Sequence, residues 1–512
     1  MTSQQQLQHL YWRAGFGPRP EDIAASLSPA QALRQLLQEA QAFEPLDAPA
    51  YHYADPVGPV MAVLPPESAP AGVASATPPT ELSPLPLRSA LAPPAWPGPP
   101  LLRRRDVTPE QRKLQNDGFR AAFMAMSLGW MDRMATSPAQ LREKMALFWH
   151  GHFACRTRKP DDSLQLLNTI RQRALGKFGD LLLAVSQEPA MLQFLNNQQN
   201  RKAQPNENFA REVMELFTLG RGQYSETDVK EAARAFTGWN YDPQNRFKFK
   251  ERDHDAGPKT FLGHTGNLTG EEVLAIILQQ PATARFVVTK MYRFFVNDVP
   301  HPGHIEALAG AFRQSDYDIT DLVERMFSAS WFYGKANVGA RIKSPVELVA
   351  GLRRTLNLQV DNGVPLLGYQ KALGQVLFLP PNVAGWPGGR DWIDSSSLLL
   401  RLELPSILFK NAEFTLRLKD DENDITPQTT SKERTVRNTV GAHLPLASLH
   451  LLLGGTAAAE QPGQLAKFLL QAPIRPENLA LVEQMATKAT TPEEQLRSTL
   501  ISLLSLPEYQ LS

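Results

Sequence analysis

The sequence predicts a mainly α fold, a large multi-helical globular body with a short β-hairpin and a proline-rich insertion. Three observations predict it. Apolar residues recur at helical spacing through most of the chain, helix-start signatures precede those runs, and proline crowds into a single stretch. The chain has 512 residues, 42% hydrophobic and 21% charged, which supplies ample apolar material for a core. Lys plus Arg number 53 against 52 Asp plus Glu, a formal net charge of +1, so no global field draws the chain to nucleic acid. No nucleic-acid partner is therefore expected. The single cysteine, Cys155, excludes an internal disulfide and a metal site built on several thiolates. Any metal would need His and carboxylate ligands. The start MTSQQQLQHLYWRAGFG lacks a basic segment followed by an apolar one, and no apolar run reaches the roughly 18 residues of a membrane span. The expectation is no transmembrane segment and a cytoplasmic location by default, with envelope association left open.

Residues 1–44 read as N-terminal helices that pack on the body. Leu7, Leu10, Tyr11 and Ala14 stand at i, i+3, i+4, i+7 spacing, and Ser28, Pro29 and Gln31 fit the N-cap, N1 and N3 positions of a second helix. Residues 45–107 form a linker or insertion. Of the 42 prolines, 16 fall in the 56 positions from 45 to 100, where Arg88 is the only Lys or Arg. That density blocks helices and central strands, and the run Arg103, Arg104, Arg105 closes the stretch as a basic linker end. Residues 108–405 read as a helical core carrying the polar motifs. Ser137, Pro138 and Gln140 form a capping-box pattern, and Ser225 with Asp228 opens DVKEAARAFTGW. The segment RFKFKERDHDAGPKTFLG departs from this, since Phe247 and Phe249 alternate with Lys248 and Lys250 ahead of a glycine turn, which predicts a short hairpin. Residues 406–512 form a C-terminal helical segment. A polar stretch from Lys419 to Glu433 precedes a helix capped by Thr491, Pro492 and Glu494 and carrying Leu496, Leu500 and Leu503. No repeat of fixed period is present, which disfavours a solenoid.

Four polar constellations are candidates for chemistry. In FWHGHFACR, a helix places Leu141, Met145, Phe148 and His152 on one face, with His150 a little over half a turn away. A helix end at Gly151 would let His150 and His152 converge on a metal, against the alternative of two packed or surface histidines. In PNENFAREVMELFTLG, with Asn206 as N-cap, Glu207, Asn208, Arg211, Glu212, Glu215 and Thr218 occupy an arc of about 140°, opposite Phe209, Val213, Leu216 and Phe217. Three carboxylates around one guanidinium suit a general base or metal ligands with an anion clamp, while the bland reading is a solvated ion-pair ladder. In HDAGPKTFLG, His254, Asp255 and Lys259 surround Gly257 in a loop that could move protons or merely turn. In LPPNVAGWPGGRDWI, Asn382, Trp386 and Trp392 lie among Pro and Gly, a pattern that holds aromatics at a pocket mouth or packs them inward.

These motifs, together with RAGFGP at Arg13 to Pro18, DVKEAARAFTGW at Asp228 to Trp239 and KSPVEL at Lys343 to Leu348, resemble those of the bacterial family called domain of unknown function 1800. The resemblance covers most of the chain, from residue 13 to 392, and the ending LLSLPEYQLS is also similar. It implies no reaction, substrate or cofactor. It does imply a neighbour, because members are often encoded beside domain of unknown function 1501 (DUF1501), which resembles the alkaline-phosphatase and sulfatase superfamily and is often exported. It also adds weight to His150, His152, Glu207, Arg211, Glu212, Glu215, His254, Asp255 and Lys259, which match motif positions.

Two readings account for these motifs. In the first, the protein is a metal-dependent hydrolase or transferase acting on an envelope-related or anionic substrate. His150 and His152 then bind a divalent metal ion with Glu212 or Glu215, His254 and Asp255 handle protons, Arg211 and Lys259 hold the anion, and Asn382 and Trp386 contact the ligand. Glu-x-x-His pairs, the usual device of helical metal sites, are absent. In the second, the same polar groups brace helices, and the protein is a non-catalytic assembly or export partner of the sulfatase-like protein.

Overall fold

The computed structural model describes residues 1–48, 108–410 and 440–512. Most of the proline-rich stretch, the Arg103, Arg104, Arg105 run and the polar stretch 419–433 lie outside the described residues. Within them stand twenty-one α-helices and three two-stranded antiparallel sheets, so the mainly α expectation holds.

Many of the remaining prolines begin helices. Pro20, Pro29, Pro109, Pro160, Pro189, Pro281, Pro302, Pro345, Pro476 and Pro492 stand at the first position of theirs, where the missing N–H costs nothing and the fixed φ suits the turn. Capping chemistry acts at some of these starts and at others. The hydroxyl of Ser28 accepts the Gln31 amide, that of Ser225 accepts the Asp228 amide, and Thr491 accepts the Glu494 amide, as the spacing predicts. Ser137 behaves differently. It ends the helix Pro109–Thr136, and the next helix, Gln140–His152, begins after Ala139. The Gln140 side chain explains this, because its amide donates to the Met134 and Ser137 carbonyls and so ties down the preceding helix end.

The hairpin segment forms two hairpins in place of one. Phe247–Phe249 pairs backward with Trp239–Tyr241, and Lys259–Phe261 pairs forward with His264–Gly266. Trp239 and Phe261 are buried, which anchors each hairpin to the helices. The third pair joins Gln359–Val360 to Ala442–His443, linking the helical body to the C-terminal segment.

A continuous apolar cluster runs from Leu7, Leu10 and Trp12 through Trp130, Met145 and Trp149 to Val346, Leu404, Leu500 and Tyr509. N-terminal and C-terminal helices therefore bury their stripes against the same interior as the central ones. The chain end is stitched in by backbone pairing, with the Ser512 amide donating to the Arg341 carbonyl and the Arg341 amide to the Ser512 carbonyl. Leu46 exchanges two hydrogen bonds with the Asn168 side chain, which fixes the chain where the described N-terminal part ends.

Candidate functional site

The motif NENFAREVMELFTLG departs from a regular α-helix. Asn208–Glu212 is α-helical and Val213–Thr218 is a π-turn, a wider turn that recurs at functional sites. The cap also differs: the Asn206 carboxamide accepts the Asn208 amide, and Glu207 is the residue preceding the helix. The extra residue in the turn shifts the phase of the residues beyond it. Phe209, Val213 and Phe217 are buried as their phase predicts, whereas Thr218 is turned inward and Leu216 is only partly covered. Thr218 donates its hydroxyl to the Val213 carbonyl at 2.6 Å, and Gly220 comes next but one with φ +81°, a left-handed conformation that closes the helix end.

His152 and Lys290 complete that helix end. His152 Nε2 donates to the Phe217 carbonyl at 3.0 Å, and Lys290 Nζ donates to the Leu216 carbonyl at 3.2 Å. Two consecutive carbonyls left without helical donors are thereby satisfied. Lys290 lies over the Phe286 ring, and burial lowers its pKa to about 8. Nothing in the run TKMYRFF set this lysine apart in the sequence.

His150 and His152 do not converge. The helix continues through Gly151 to His152, so the break at Gly151 that would have brought the rings together is absent. His150 Nε2 accepts the Phe378 amide at 3.1 Å, which places its proton on Nδ1, whereas His152 carries its proton on Nε2. The two imidazoles are opposite tautomers. His150 packs against Trp130, Phe378 and Trp386, and His152 against Phe148, Trp149, Phe153 and Phe217. Burial lowers the His150 pKa to about 3 and holds His152 well below its ordinary value, with Lys290 adding to the latter. No group of three His, Cys, Asp or Glu residues arranged for a metal occurs among the described residues. The lone pair of His150 is spent on a backbone amide, and only the buried His152 Nδ1 keeps one without a partner. A divalent metal ion held by both histidines with Glu212 or Glu215 is thus not assembled by this geometry.

Most of the other motif residues are engaged by partners, some near and some distant in sequence. Arg211 forms a two-pronged pair with Glu226 at 2.7 and 2.8 Å and a looser one with Glu207. Glu215 accepts from Arg221 Nε and the Tyr224 hydroxyl, which lowers its pKa. Asp255 receives Arg234 through two guanidinium nitrogens and also the Gly257 amide, and Arg234 foremost lowers its pKa. Lys259, about 1% exposed, donates to the Asp255 and Gly257 carbonyls and to Asn267. The His254 ring sits against the Thr237 carbonyl and hydroxyl. Glu212 is the exception. It has no hydrogen-bond or ion-pair partner among the described residues, and burial, with Glu215 beside it, raises its pKa.

The tryptophan loop docks on the histidine helix. Gly385 has φ +89°, and a Cβ there would lie 2.4 Å from the Gly151 carbonyl oxygen, so the bare Cα of Gly385 permits this close approach. Trp386 packs on His150, Trp392 is buried, and the exposed Asn382 closes its own turn by accepting the Ala384 amide. The sequence motifs thus identify which segments meet, while Arg211 and Asp255 take their two-pronged partners, Glu226 and Arg234, from outside their own motifs.

No helix among the described residues is long and apolar enough to cross a membrane. No curated protein and no solved structure matches the chain. The family model described as Protein of unknown function (DUF1800) matches residues 9–511. With its motifs in order and that match spanning nearly every residue, the chain belongs to the DUF1800 family.

Proposed function

We propose that the protein is a non-catalytic assembly or export partner, working with the sulfatase-like DUF1501 protein. The observation that carries this reading is the engagement of the polar motif residues by one another: Arg211 with Glu226, Glu215 with Arg221, Asp255 with Arg234, and Lys259 with three oxygen acceptors. A catalytic acid, base or anion clamp needs unspent hydrogen-bonding capacity aimed at a substrate. Groups that brace helices and hairpins need the reverse.

The test is a defined binary mixture of purified full-length protein and purified DUF1501 partner, followed by analytical ultracentrifugation. A saturable complex supports the reading, and its absence with both proteins folded overturns it. Arg234→Ala and Asp255→Asn variants sharpen the result, because a bracing role lowers thermal stability and complex formation together.

A catalytic reading keeps one specific observation in its favour. Glu212 is unpaired with a raised pKa, immediately before a π-turn whose end is held by a lysine of lowered pKa. Turnover of chromogenic phosphate or sulfate esters, lost in a folded Glu212→Gln variant, would replace the partner reading with this one.

A further inference from the structure

The motifs RAGFGP and KSPVEL take no part in the polar surface around Arg211, Glu215 and Asp255, yet they meet in the interior. Arg13 comes from the helix Ser3–Ala14, Lys144 from Gln140–His152 and Arg401 from Ser395–Lys410, while Arg341 and Lys343 precede the helix Pro345–Thr355 that carries Glu347. All five cations are buried, none more than 7% exposed. Glu347 is the one carboxylate set among them. Its Oε1 lies 2.6 Å from Lys144 Nζ and 3.6 Å from Arg341 Nη1, and its Oε2 accepts the Ser344 amide at 2.9 Å. Both oxygens are spent, and among the described residues Glu347 is the one carboxylate side chain set against the three guanidiniums and two lysines. The exposed Asp298 acts on Arg13 from outside the cluster.

The other cations rest on neutral partners. Arg13 donates to the Asn337 and Phe295 carbonyls. Lys343 donates to the Tyr509 carbonyl while sitting 3.7 and 3.8 Å from the Trp12 and Tyr509 rings. Arg401 Nη1 donates to the Lys343 carbonyl at 3.0 Å. Several donors remain without a partner: Nε of Arg13, Nε of Arg341, Nε and Nη2 of Arg401, and Nε2 of Gln510, all buried. A lysine can shed its proton to escape such a setting, and burial lowers Lys144 to about 8 and Lys343 further. A guanidinium keeps its charge. Three guanidiniums, one carboxylate and a set of idle charged donors form an incomplete network, and incomplete buried networks are costly unless something fills them.

A cleft of about 470 Å³ reaches this cluster. Ile342, Ile393, Leu398, Pro473, Pro507 and Leu511 line it together with Arg475 and Glu508, and Gln510, whose carboxamide oxygen lies 3.5 Å from Arg401 Nη1, joins it to the cluster. Gln510 is the residue at which the cleft meets the cluster, and guanidiniums match phosphoryl oxygens in geometry as well as charge. Three guanidiniums against one carboxylate side chain favour a dianion over a singly charged carboxylate.

We infer that the Arg13, Arg341, Lys343, Arg401 and Gln510 cluster binds a phosphoryl dianion that enters through the cleft lined by Ile342, Leu398 and Leu511. Free phosphate and a phosphomonoester with an apolar body share this chemistry, and concentration dependence separates them.

The full chain, desalted into a chloride buffer, is melted against inorganic phosphate, octyl phosphate and octanoate at constant ionic strength, and its phosphorus content is measured by elemental mass spectrometry. The expected result is a saturable rise in melting midpoint of about 2 °C or more with a phosphoryl compound, or stoichiometric phosphorus carried through purification. Octyl phosphate acting at tenfold lower concentration than inorganic phosphate identifies a monoester with its apolar part in the cleft, and equal potency identifies free phosphate. A response to octanoate alone overturns the phosphoryl assignment. Neither response nor phosphorus overturns the site. Gln510→Glu guards against variants that fail to fold, because it places a carboxylate beside Arg401. The midpoint should rise without ligand and the phosphate response should fall at least tenfold in apparent affinity. An unchanged midpoint with an unchanged phosphate response in that variant would also overturn the site.

Discussion

Lys144 and Glu347 form a buried ion pair, Nζ to Oε1 at 2.6 Å, that ties the helix Gln140–His152 to the helix Pro345–Thr355. Both partners are under 5% exposed. Glu347 serves more than this pair, since it also faces Arg341 and accepts the Ser344 amide. Removing the carboxylate leaves the surrounding cations with none. Removing Lys144 relieves a positive excess while Glu347 keeps Arg341. Glu347→Gln should therefore cost about 3 to 5 kcal/mol, the usual range for breaking a buried pair from one side, and Lys144→Met should cost less. Urea unfolding of the two variants checks the order. A larger loss in Lys144→Met would show that the cluster is not short of negative charge.

The buried histidines of the helix Gln140–His152 predict an acid limb, to which the buried His9 also contributes. Burial lowers the His150 pKa to about 3 and holds His152 well below its ordinary value. Between the folded and unfolded values the unfolded chain binds more protons, so stability rises with pH there and is lost as pH falls from about 6.5 toward 3. Each fully buried histidine contributes a slope of up to about 1.4 kcal/mol per pH unit. The His150→Gln variant keeps an acceptor for the Phe378 amide while removing one titration. Its unfolding free energy should fall less steeply between pH 6.5 and 4.5 than that of the wild type, and an equal slope would remove His150 from the account.

Gly385 and Gly151 predict a backbone effect. A methyl at Gly385 meets the Gly151 carbonyl oxygen at 2.4 Å, and φ at Gly385 is +89°. Alanine adds a clash and a strained dihedral at once. Gly385→Ala should destabilise by about 2 to 4 kcal/mol and loosen Trp386 from His150, read as a change in near-ultraviolet dichroism. Gly151→Ala has open space around its Cβ and should be close to neutral. Equal effects of the two would place the close approach elsewhere.

How much was legible in the sequence depended on how local its cause is. Ser28 with Gln31 and Ser225 with Asp228 carry both halves of a cap within four residues, so spacing suffices. Ser137 failed because the Gln140 side chain had another use, closing the helix behind it. A projection at 100° per residue assumes a regular helix and loses phase at the π-turn, hence the misplaced Thr218 and Leu216. The charged groups were visible as residue types, but their partners were not. Asp255 meets Arg234 from 21 positions away, and Lys144 meets Glu347 from 203. Arg13 and Lys343 lie in motifs readable from the sequence, yet only the fold brings them together.

The lysine at the end of the π-turn predicts an alkaline limb of opposite origin. Lys290 is half-buried with one hydrogen bond, to the Leu216 carbonyl, and burial lowers its pKa to about 8. Lys144 is also lowered to about 8, by burial first and then by Arg341 and Arg13 against the pull of Glu347. Between about pH 8 and 10.4 the unfolded lysines keep their protons and the folded ones have shed them, so the unfolded state binds more protons and stability rises with pH. The melting midpoint should therefore climb from pH 7.5 toward 9.5, before tyrosine ionisation in the unfolded chain complicates the profile. Lys290→Met removes one of these titrations, Lys343 and Lys259 being lowered as well, and should reduce the climb without abolishing it. Lys290→Met also leaves the Leu216 carbonyl without its donor, so its midpoint at pH 9.5 should lie below that of the wild type. A profile unchanged in this variant would mean that Lys290 reaches water and keeps an ordinary pKa.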